Sequence, residues 1–196
     1  MNGLELLTFL TGLYVAAEVV SNVTAGRLVQ VGPLVVPGAI FLYAMTFTLR
    51  DAIHAAGGER AAKTAVWTGF FANFLLALYG LFVLSLPAPA WFEDAPYQAV
   101  LGQSARVVAA SLTAYLVAQL ANTWAFERIP GALWQKSVGS NLLAILLDTA
   151  IFITLAFAGT GAPLFLLMAG QLVFKLAFSL LLLPLVYGVR ARVPRS

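Results

Sequence analysis

Hydrophobic residues run through this chain in long blocks, which short polar or glycine- and proline-rich stretches separate. A helix crosses a bilayer with about 20 apolar residues. The pattern therefore predicts six transmembrane helices, at residues 4–23, 38–54, 62–86, 105–126, 138–157 and 164–189. These spans and their short connections use residues 1–196 and leave no room for a soluble domain. We expect one all-α integral membrane domain, a compact bundle of six transmembrane helices.

The segment 22–38, between the first two predicted helices, departs from the helical pattern. It contains two prolines and three glycines, and it briefly alternates around a Gly32-Pro33 turn. We expect a re-entrant or extended loop here. Irregular backbone is tolerated at membrane depth only where protein or a watery cavity satisfies its polar groups. A lid over a binding site would meet that condition.

Composition supports the membrane assignment and narrows the chemistry. The chain is 61% hydrophobic and 10% charged, with a mean hydropathy of +0.92, whereas soluble domains are roughly 45 to 50% apolar. It has no cysteine and one histidine, His54, so we expect no disulfide, metal site or cofactor. The N-terminus lacks the basic leader and cleavage site of a signal peptide, so we expect the first apolar segment to be retained.

The charged residues indicate how the bundle is oriented. Basic residues flank two connections and form the tail: Arg50, Arg60 and Lys63, then Arg128 and Lys136, then Arg190, Arg192 and Arg195. Glu93 and Asp94 mark the opposite side. By the positive-inside rule both termini are cytoplasmic, in a multi-pass protein of the cytoplasmic (inner) membrane. We expect His54, in the first basic connection, to be a solvated residue at the membrane interface.

Polar residues inside the apolar spans suggest a transport path, because a charge at the bilayer centre costs roughly 2.5 to 3.5 kcal/mol. Residues three and four apart share a helix face. This spacing gives four polar stripes: Thr11, Tyr14, Glu18 and Asn22; Ser111, Tyr115, Gln119, Asn122 and Phe126; Asn141 and Asp148; Gln171, Lys175 and Ser179. We expect the stripes to line a cavity, with Tyr115, Phe126 or Trp124 available for stacking. Such an inventory suits a planar heterocycle.

Less specific interpretations stay open. Asp148 and Lys175 could only neutralise each other, and amides could bond across helices at about 0.6 kcal/mol each. Glu18 could reach water or pair with Arg27. A structural membrane subunit would also carry such residues. Catalysis is disfavoured, because the sequence has no nucleophile elbow or acid-rich metal motif, and segment 57–64 resembles a phosphate loop but lacks its second glycine.

Several motifs occur in an order that resembles one family. S-N-V-T-A-G-R at 21–27 precedes F-L-Y-A-M-T-F-T-L-R-D at 41–51, and S-L-T-A-Y at 111–115, D-T-A-I-F at 148–152 and L-P-L-V-Y-G at 183–188 follow. Together they are similar to the queuosine precursor transporter family, also called VUT. Departures from the family pattern stand at Arg27, Ala44, Asn122, Lys136 and Ile145, which leaves a related purine-like ligand open.

The resemblance implies a bundle similar to the substrate-binding S components of energy-coupling-factor vitamin transporters, acting without an ATPase module. It implies import of deazaguanine bases, namely 7-cyano- or 7-aminomethyl-7-deazaguanine or queuine. Asp148 would accept the N1–H and exocyclic amine of the base, while Gln119 and Asn122 would bind its carbonyl and remaining N–H groups. We hypothesise that Lys175 keeps Asp148 ionised in the empty site. The substrate-binding candidates are Asn22, Tyr43, Phe47, Tyr115, Gln119, Asn122, Asn141, Asp148 and Lys175.

The energy source and the partners are less constrained. Glu18 or Asp148 could carry a coupled proton. An alternative is an S-like subunit for another vitamin or purine-like solute that needs an energy-coupling module, with Gly12 and Ala16 as a docking face. We expect the lipid bilayer and a small molecule as partners, and no nucleic acid. A monomer and a homodimer both remain open.

Overall fold

The structure, a computed structural model, describes residues 3–25, 27–32, 34–102 and 105–192. Within these ranges it is mostly helical, with one two-stranded hairpin near the start. The helices are α1 Gly3–Thr24, α2 Ile40–Ser85, α3 Ala95–Leu101, α4 Ala105–Arg128, α5 Leu133–Phe157, α6 Leu164–Leu181 and α7 Leu183–Arg192. The strands are β1 Leu28–Val31 and β2 Leu34–Pro37.

In the described part of the chain, five helical segments are long and apolar enough to cross a membrane: Gly3–Thr24, Ile40–Ser85, Ala95–Arg128, Leu133–Phe157 and Leu164–Ala191. Large apolar side chains lie on their outer surfaces. Phe71 is 61% exposed, Leu75 65% and Phe165 85%. Outward apolar side chains of this size are what contact with lipid requires, since water would disfavour them.

Helix α2 contains both the second and the third predicted spans. Its backbone leaves the helical conformation at Gly58, where φ is 75° and ψ is −175°. Glu18 and Asn22, one turn apart on α1, contact Thr46 and Asn73 of α2 respectively. If α2 were an unbroken helix, Thr46 and Asn73 would lie about 40 Å apart. Helix α2 therefore folds back at Gly58, and its two arms, 40–57 and 59–85, both lie along α1.

The segment predicted as a re-entrant or extended loop contains the β-hairpin. Strands β1 and β2 pair antiparallel, with Leu28 opposite Pro37 and Val31 opposite Leu34. Gly32 adopts a φ of +58° at the turn, a conformation that L side chains rarely adopt. Pro33, the other predicted turn residue, lies outside the described residues. Strand β2 packs against α6, so the hairpin is held against the bundle.

The helices from α4 onward follow the predicted blocks, with two differences at their ends, whereas the short helix α3 lies in a stretch predicted as a connection. Helix α5 begins at Leu133 rather than 138, where the Gln135 side chain accepts a hydrogen bond from the Ala132 amide at 2.7 Å and caps the first turn. The last predicted span is divided at Leu182 into α6 and α7. Pro184 accounts for this break, because proline removes an amide donor and its ring clashes with the preceding turn.

Two buried clusters hold the helices together. Tyr14 and neighbouring apolar residues of α1 pack against both arms of α2 and against Tyr115 of α4. Phe47 joins α2 to α4 and α5. At one end of the bundle Arg106 donates to the carbonyl oxygens of Leu155 and Ala158, at 2.7 and 2.6 Å. The start of α4 is thereby tied to the end of α5.

Candidate functional site

The polar stripes predicted from helical spacing lie inside the bundle. Thr11, Asn22 and Ser111 are partly buried, and so is Tyr43, which belongs to no stripe. The buried members are Tyr14, Glu18, Tyr115, Gln119, Asn122, Phe126, Asn141, Asp148, Gln171, Lys175 and Ser179. Each stripe repeats with the period of a helix, so burying one member buries the others on the same face.

Asp148 and Lys175 form the centre of an ion-pair cluster between α2, α5 and α6. The Lys175 ammonium donates to Asp148 Oδ2 at 2.5 Å, to Gln171 Oε1 at 2.7 Å and to Thr149 Oγ1 at 3.2 Å. Tyr43 donates its phenol hydrogen to Asp148 Oδ1 at 2.6 Å. The same ammonium lies 5.3 Å from the centre of the Tyr43 ring. Both carboxylate oxygens of Asp148 therefore have a partner.

A second ion pair, which the sequence did not indicate, lies in the first arm of α2. Arg50 and Asp51 are bonded to each other and are both 0% exposed. Ser137 of α5 donates to Asp51, and Arg50 donates to Thr123 of α4 at 3.3 Å. The placement of Arg50 beside a basic connection is therefore wrong. Asp51 neutralises it in the interior, whereas counting basic residues treats it as a surface charge.

A row of amide side chains crosses from α4 to α6. Asn122 donates to Asn141 Oδ1 at 2.7 Å, and Asn141 donates to Ser179 at 2.9 Å. Gln119 lies one turn before Asn122 and is 0% exposed. Across the residues that the structure describes, neither the oxygen nor the nitrogen of the Gln119 amide has a hydrogen-bond partner, and Asn122 Oδ1 also has none. Unpaired buried polar atoms are costly, and a ligand or water that bonds them recovers that cost.

The two tyrosines of the stripes bond to each other. The Tyr14 and Tyr115 hydroxyls are 2.8 Å apart, and Tyr115 also donates to the Val66 carbonyl oxygen at 2.8 Å. Because a phenol has a single hydrogen to donate, Tyr14 is the donor of the first bond. The Tyr115 hydroxyl thus ties α4 to α1 and to the second arm of α2.

Other aromatic side chains differ from the prediction. Trp124 is 52% exposed and carries the Arg128 guanidinium 4.8 Å from its ring centre, so it does not stack in the interior as expected. Phe126 stacks on His54 with ring centres 4.3 Å apart. His54 is 4% exposed, and its Nε2 lies 2.5 Å from Glu127 Oε1. The prediction of a solvated His54 is wrong, because this stacking removes it from water. Phe47 is 0% exposed within the apolar core.

Comparison with known proteins decides the family. The family model described as "Putative vitamin uptake transporter" matches residues 37–189, well over half of the chain. This chain belongs to the vitamin uptake transporter family. The "Probable queuosine precursor transporter" of Bacillus subtilis (strain 168) is 27% identical to it over 189 residues, which cover 92% of this chain and 82% of the relative. No solved structure matches this family member. The resemblance drawn from the sequence motifs is confirmed.

Two clefts open at opposite ends of the polar stripes of this vitamin uptake transporter. The first is lined by Asn22, Asn73 and Ser111 among others; Asn22 donates to Asn73 at 2.5 Å and accepts from Ser111 at 3.3 Å. Side chains lining the second include His54, Glu127, Lys136, Tyr187 and Arg190. Neither cleft is lined by Asp148 or Lys175. Over the described ranges, no group of three or more His, Asp or Glu residues could hold a metal ion.

Proposed function

We propose that this protein imports queuosine precursors, the bases 7-cyano- or 7-aminomethyl-7-deazaguanine or queuine, across the cytoplasmic membrane. Membership of the vitamin uptake transporter family supports a transport role, and the named function of the Bacillus subtilis relative supports this substrate class. A deazaguanine base carries a ring carbonyl and several N–H donors, so its recognition requires donors and acceptors in a dry pocket.

The observation that carries the proposal is the amide of Gln119. It lies in the bundle interior, and nothing among the described residues bonds its oxygen or its nitrogen. Its nitrogen would donate to the ring carbonyl of the base, and its oxygen would accept from the amine N–H of the 7-substituent in 7-aminomethyl-7-deazaguanine or queuine. Asn122 Oδ1, also unpaired within the described chain, is a further acceptor. A site that hydrogen-bonds its substrate in this way rejects analogues that lack the group by large factors.

Asp148 would supply the charged contact with the base. An ionised carboxylate can accept both the N1–H and the exocyclic amine, and charge-assisted bonds of this kind are the stronger ones. Tyr43 and Lys175 each donate a hydrogen bond to one of the two carboxylate oxygens. Base binding would replace one or both of these contacts, and Lys175 would keep the carboxylate compensated until then.

The proposed topology has six crossings in one domain, with both termini cytoplasmic. The two arms of α2 are about 27 and 40 Å long at 1.5 Å per residue, against a hydrocarbon thickness of about 30 Å. Each arm is therefore long enough to cross the bilayer once. As a straight rod, α2 would be about 69 Å long, more than twice the hydrocarbon thickness. Arg60 and Lys63 follow Gly58, which supports a cytoplasmic position for the fold-back by the positive-inside rule.

Thermal stability of the purified protein, with and without each base, tests the substrate class. A ligand that binds only the folded state stabilises it by about 2.7 kcal/mol at 100 times its Kd. We expect a shift with the deazaguanine bases that guanine and adenine do not match. Gln119→Met and Asp148→Asn should each remove most of the shift. Equal shifts for all purines, or none for any, would contradict the proposal.

Uptake into liposomes that contain only this chain separates a self-sufficient importer from an S-like subunit. We expect labelled 7-aminomethyl-7-deazaguanine to enter such liposomes and protein-free liposomes to exclude it. Binding without uptake, with uptake restored by an added energy-coupling complex, would support the S-like alternative instead.

A further inference from the structure

Asp148 and Glu18 are buried carboxyl groups whose surroundings differ. Asp148 has a bonded partner on each oxygen, one of them the Lys175 ammonium at 2.5 Å. Glu18 of α1 is 1% exposed. Its Oε1 accepts no hydrogen bond from any residue that the structure describes. The expectation that Glu18 reaches water is wrong, and the described residues show no ion pair between it and Arg27.

Within the described part of the chain, no cation compensates Glu18. The charged and titratable groups that face it are Tyr14 on its own helix, Tyr43 on α2, Tyr115 on α4 and Asp148 on α5. The phenols are neutral, and Asp148 repels a second negative charge. The cations nearest these groups are already engaged, Arg50 with Asp51 and Lys175 with Asp148. An isolated carboxylate cannot stay ionised in such a place without a large desolvation cost, so it takes up a proton instead.

A hydrogen-bond acceptor for that proton is at hand. The Thr46 side chain of α2 faces the Glu18 carboxyl. Its hydroxyl donates to the Tyr43 carbonyl oxygen at 2.8 Å, which leaves its oxygen lone pairs to accept. Because a hydroxyl rotates, Thr46 can accept from a protonated Glu18 or, by turning away from Tyr43, donate to an ionised one.

The first cleft comes within one helical turn of Glu18. Asn22, which lines this cleft, is one turn from Glu18 on the same face of α1. Ser21 lies beside it, and its buried hydroxyl has no partner among the described residues. If the termini are cytoplasmic, this end of α1 faces the outside. Water in the cleft could therefore reach the neighbourhood of Glu18 from the side on which the base is taken up.

We propose that Glu18 is the proton-binding site that couples base import to the proton gradient, and that Asp148, held by Lys175, recognises the base. Glu18 takes one proton from water on the outer side and releases it to water on the inner side with each base carried. This inference rests on the proposed function. It assigns proton coupling to one of the two carboxyl groups between which the sequence could not choose.

The test is uptake of labelled 7-aminomethyl-7-deazaguanine into liposomes under an imposed pH gradient, acid outside, with a pH dye enclosed. One proton per base allows about tenfold accumulation per pH unit. We expect the wild type to accumulate the base and to acidify the interior when it is added. In Glu18→Gln the ratio of uptake with and without the gradient should fall to about one, because an amide binds no proton. Glu5→Gln, on the exposed start of the same helix, should behave as the wild type.

The outcomes separate the two proposals. A wild type that binds and exchanges the base but ignores the gradient would overturn proton coupling and leave the substrate assignment standing. Glu18→Gln that still follows the gradient would overturn the choice of residue. A wild type that neither binds nor exchanges any deazaguanine base would instead overturn the proposed function.

A second measurement on the wild type does not depend on whether the variant folds. Dicyclohexylcarbodiimide modifies protonated carboxyl groups within membranes, and peptide mass spectrometry locates the adduct. We expect the adduct on Glu18 and not on Asp148, with less of it at alkaline pH. An adduct on Asp148 alone would reverse the assignment of the two carboxyl groups.

Discussion

Replacing Lys175 by methionine tests the buried ion pair most directly. The change keeps most of the side-chain volume but removes the ammonium, which donates to Asp148, Gln171 and Thr149. Asp148 would keep the Tyr43 hydroxyl but lose its countercharge at 3% exposure. Breaking a buried pair in this way costs about 3 to 5 kcal/mol, because an uncompensated charge is left behind. We expect Lys175→Met to lower the free energy of unfolding by that amount.

A second replacement should recover much of the loss. The double variant, Lys175→Met with Asp148→Asn, removes both charges of the pair from the interior. The amide oxygen that replaces the carboxylate can still accept a hydrogen bond from the Tyr43 hydroxyl. Residues in direct contact show interaction energies of about 0.5 to 3 kcal/mol. We expect the double variant to be more stable than the sum of the single changes by about 2 kcal/mol, toward the upper part of that range.

The assay is reversible unfolding in mixed micelles, titrated with dodecyl sulfate and followed by circular dichroism. Lys63→Met is the matched control, because Lys63 pairs with Glu59 at 2.7 Å but both side chains are about half exposed. It should leave the unfolding midpoint unchanged. A Lys175→Met protein as stable as the wild type, or strictly additive changes in the double variant, would refute the argument that the pair is buried and coupled.

Three further changes follow from the geometry and share the same unfolding assay. Gly58→Ala should destabilise the protein by about 1 to 3 kcal/mol, since its backbone lies in a region open essentially to glycine alone. Gly69→Ala should cost about 1 to 3 kcal/mol, because the new methyl would overlap the Tyr115 hydroxyl; in Gly69→Ala with Tyr115→Phe part of that cost should return. Arg50→Met should cost about 3 to 5 kcal/mol by leaving Asp51 unpaired. For any of these variants, a change in the free energy of unfolding below about half a kcal/mol would contradict the prediction.

The helical blocks and their inward faces could be predicted from the sequence because two simple signals indicate them. These are the length of each apolar block and the three- and four-residue spacing of the polar residues. Apolar blocks of membrane length located α1 and α4 to within two residues at each end. The three- and four-residue spacing predicted which side chains are buried. The same spacing argues against Trp124 as an interior residue, because two positions from Asn122 amount to about 200° around a helix. That signal was present in the sequence, and the structure agrees with it.

The contacts between elements could not be predicted in the same way. Arg50 and Asp51 are neighbours in sequence near the end of an apolar block, where charged residues commonly mark a connection. Their burial depends on Ser137 and Thr123, which lie more than 70 positions away in the sequence. Neither of those hydroxyls belongs to a predicted stripe. Likewise, the fold-back of α2 requires a single residue, Gly58, rather than the longer connection that its polar surroundings suggested.

The first arm of α2 connects the two carboxyl groups to which we assign different roles. Tyr43 donates its hydroxyl hydrogen to Asp148 and accepts a hydrogen bond at its carbonyl oxygen from Thr46, whose side chain faces Glu18. A base that displaces the Tyr43 hydroxyl from Asp148 would therefore act on the helical turn that faces Glu18, the proposed proton site. This link through the first arm predicts that Thr46→Val weakens the gradient dependence of uptake while leaving Asp148 and its partners in place.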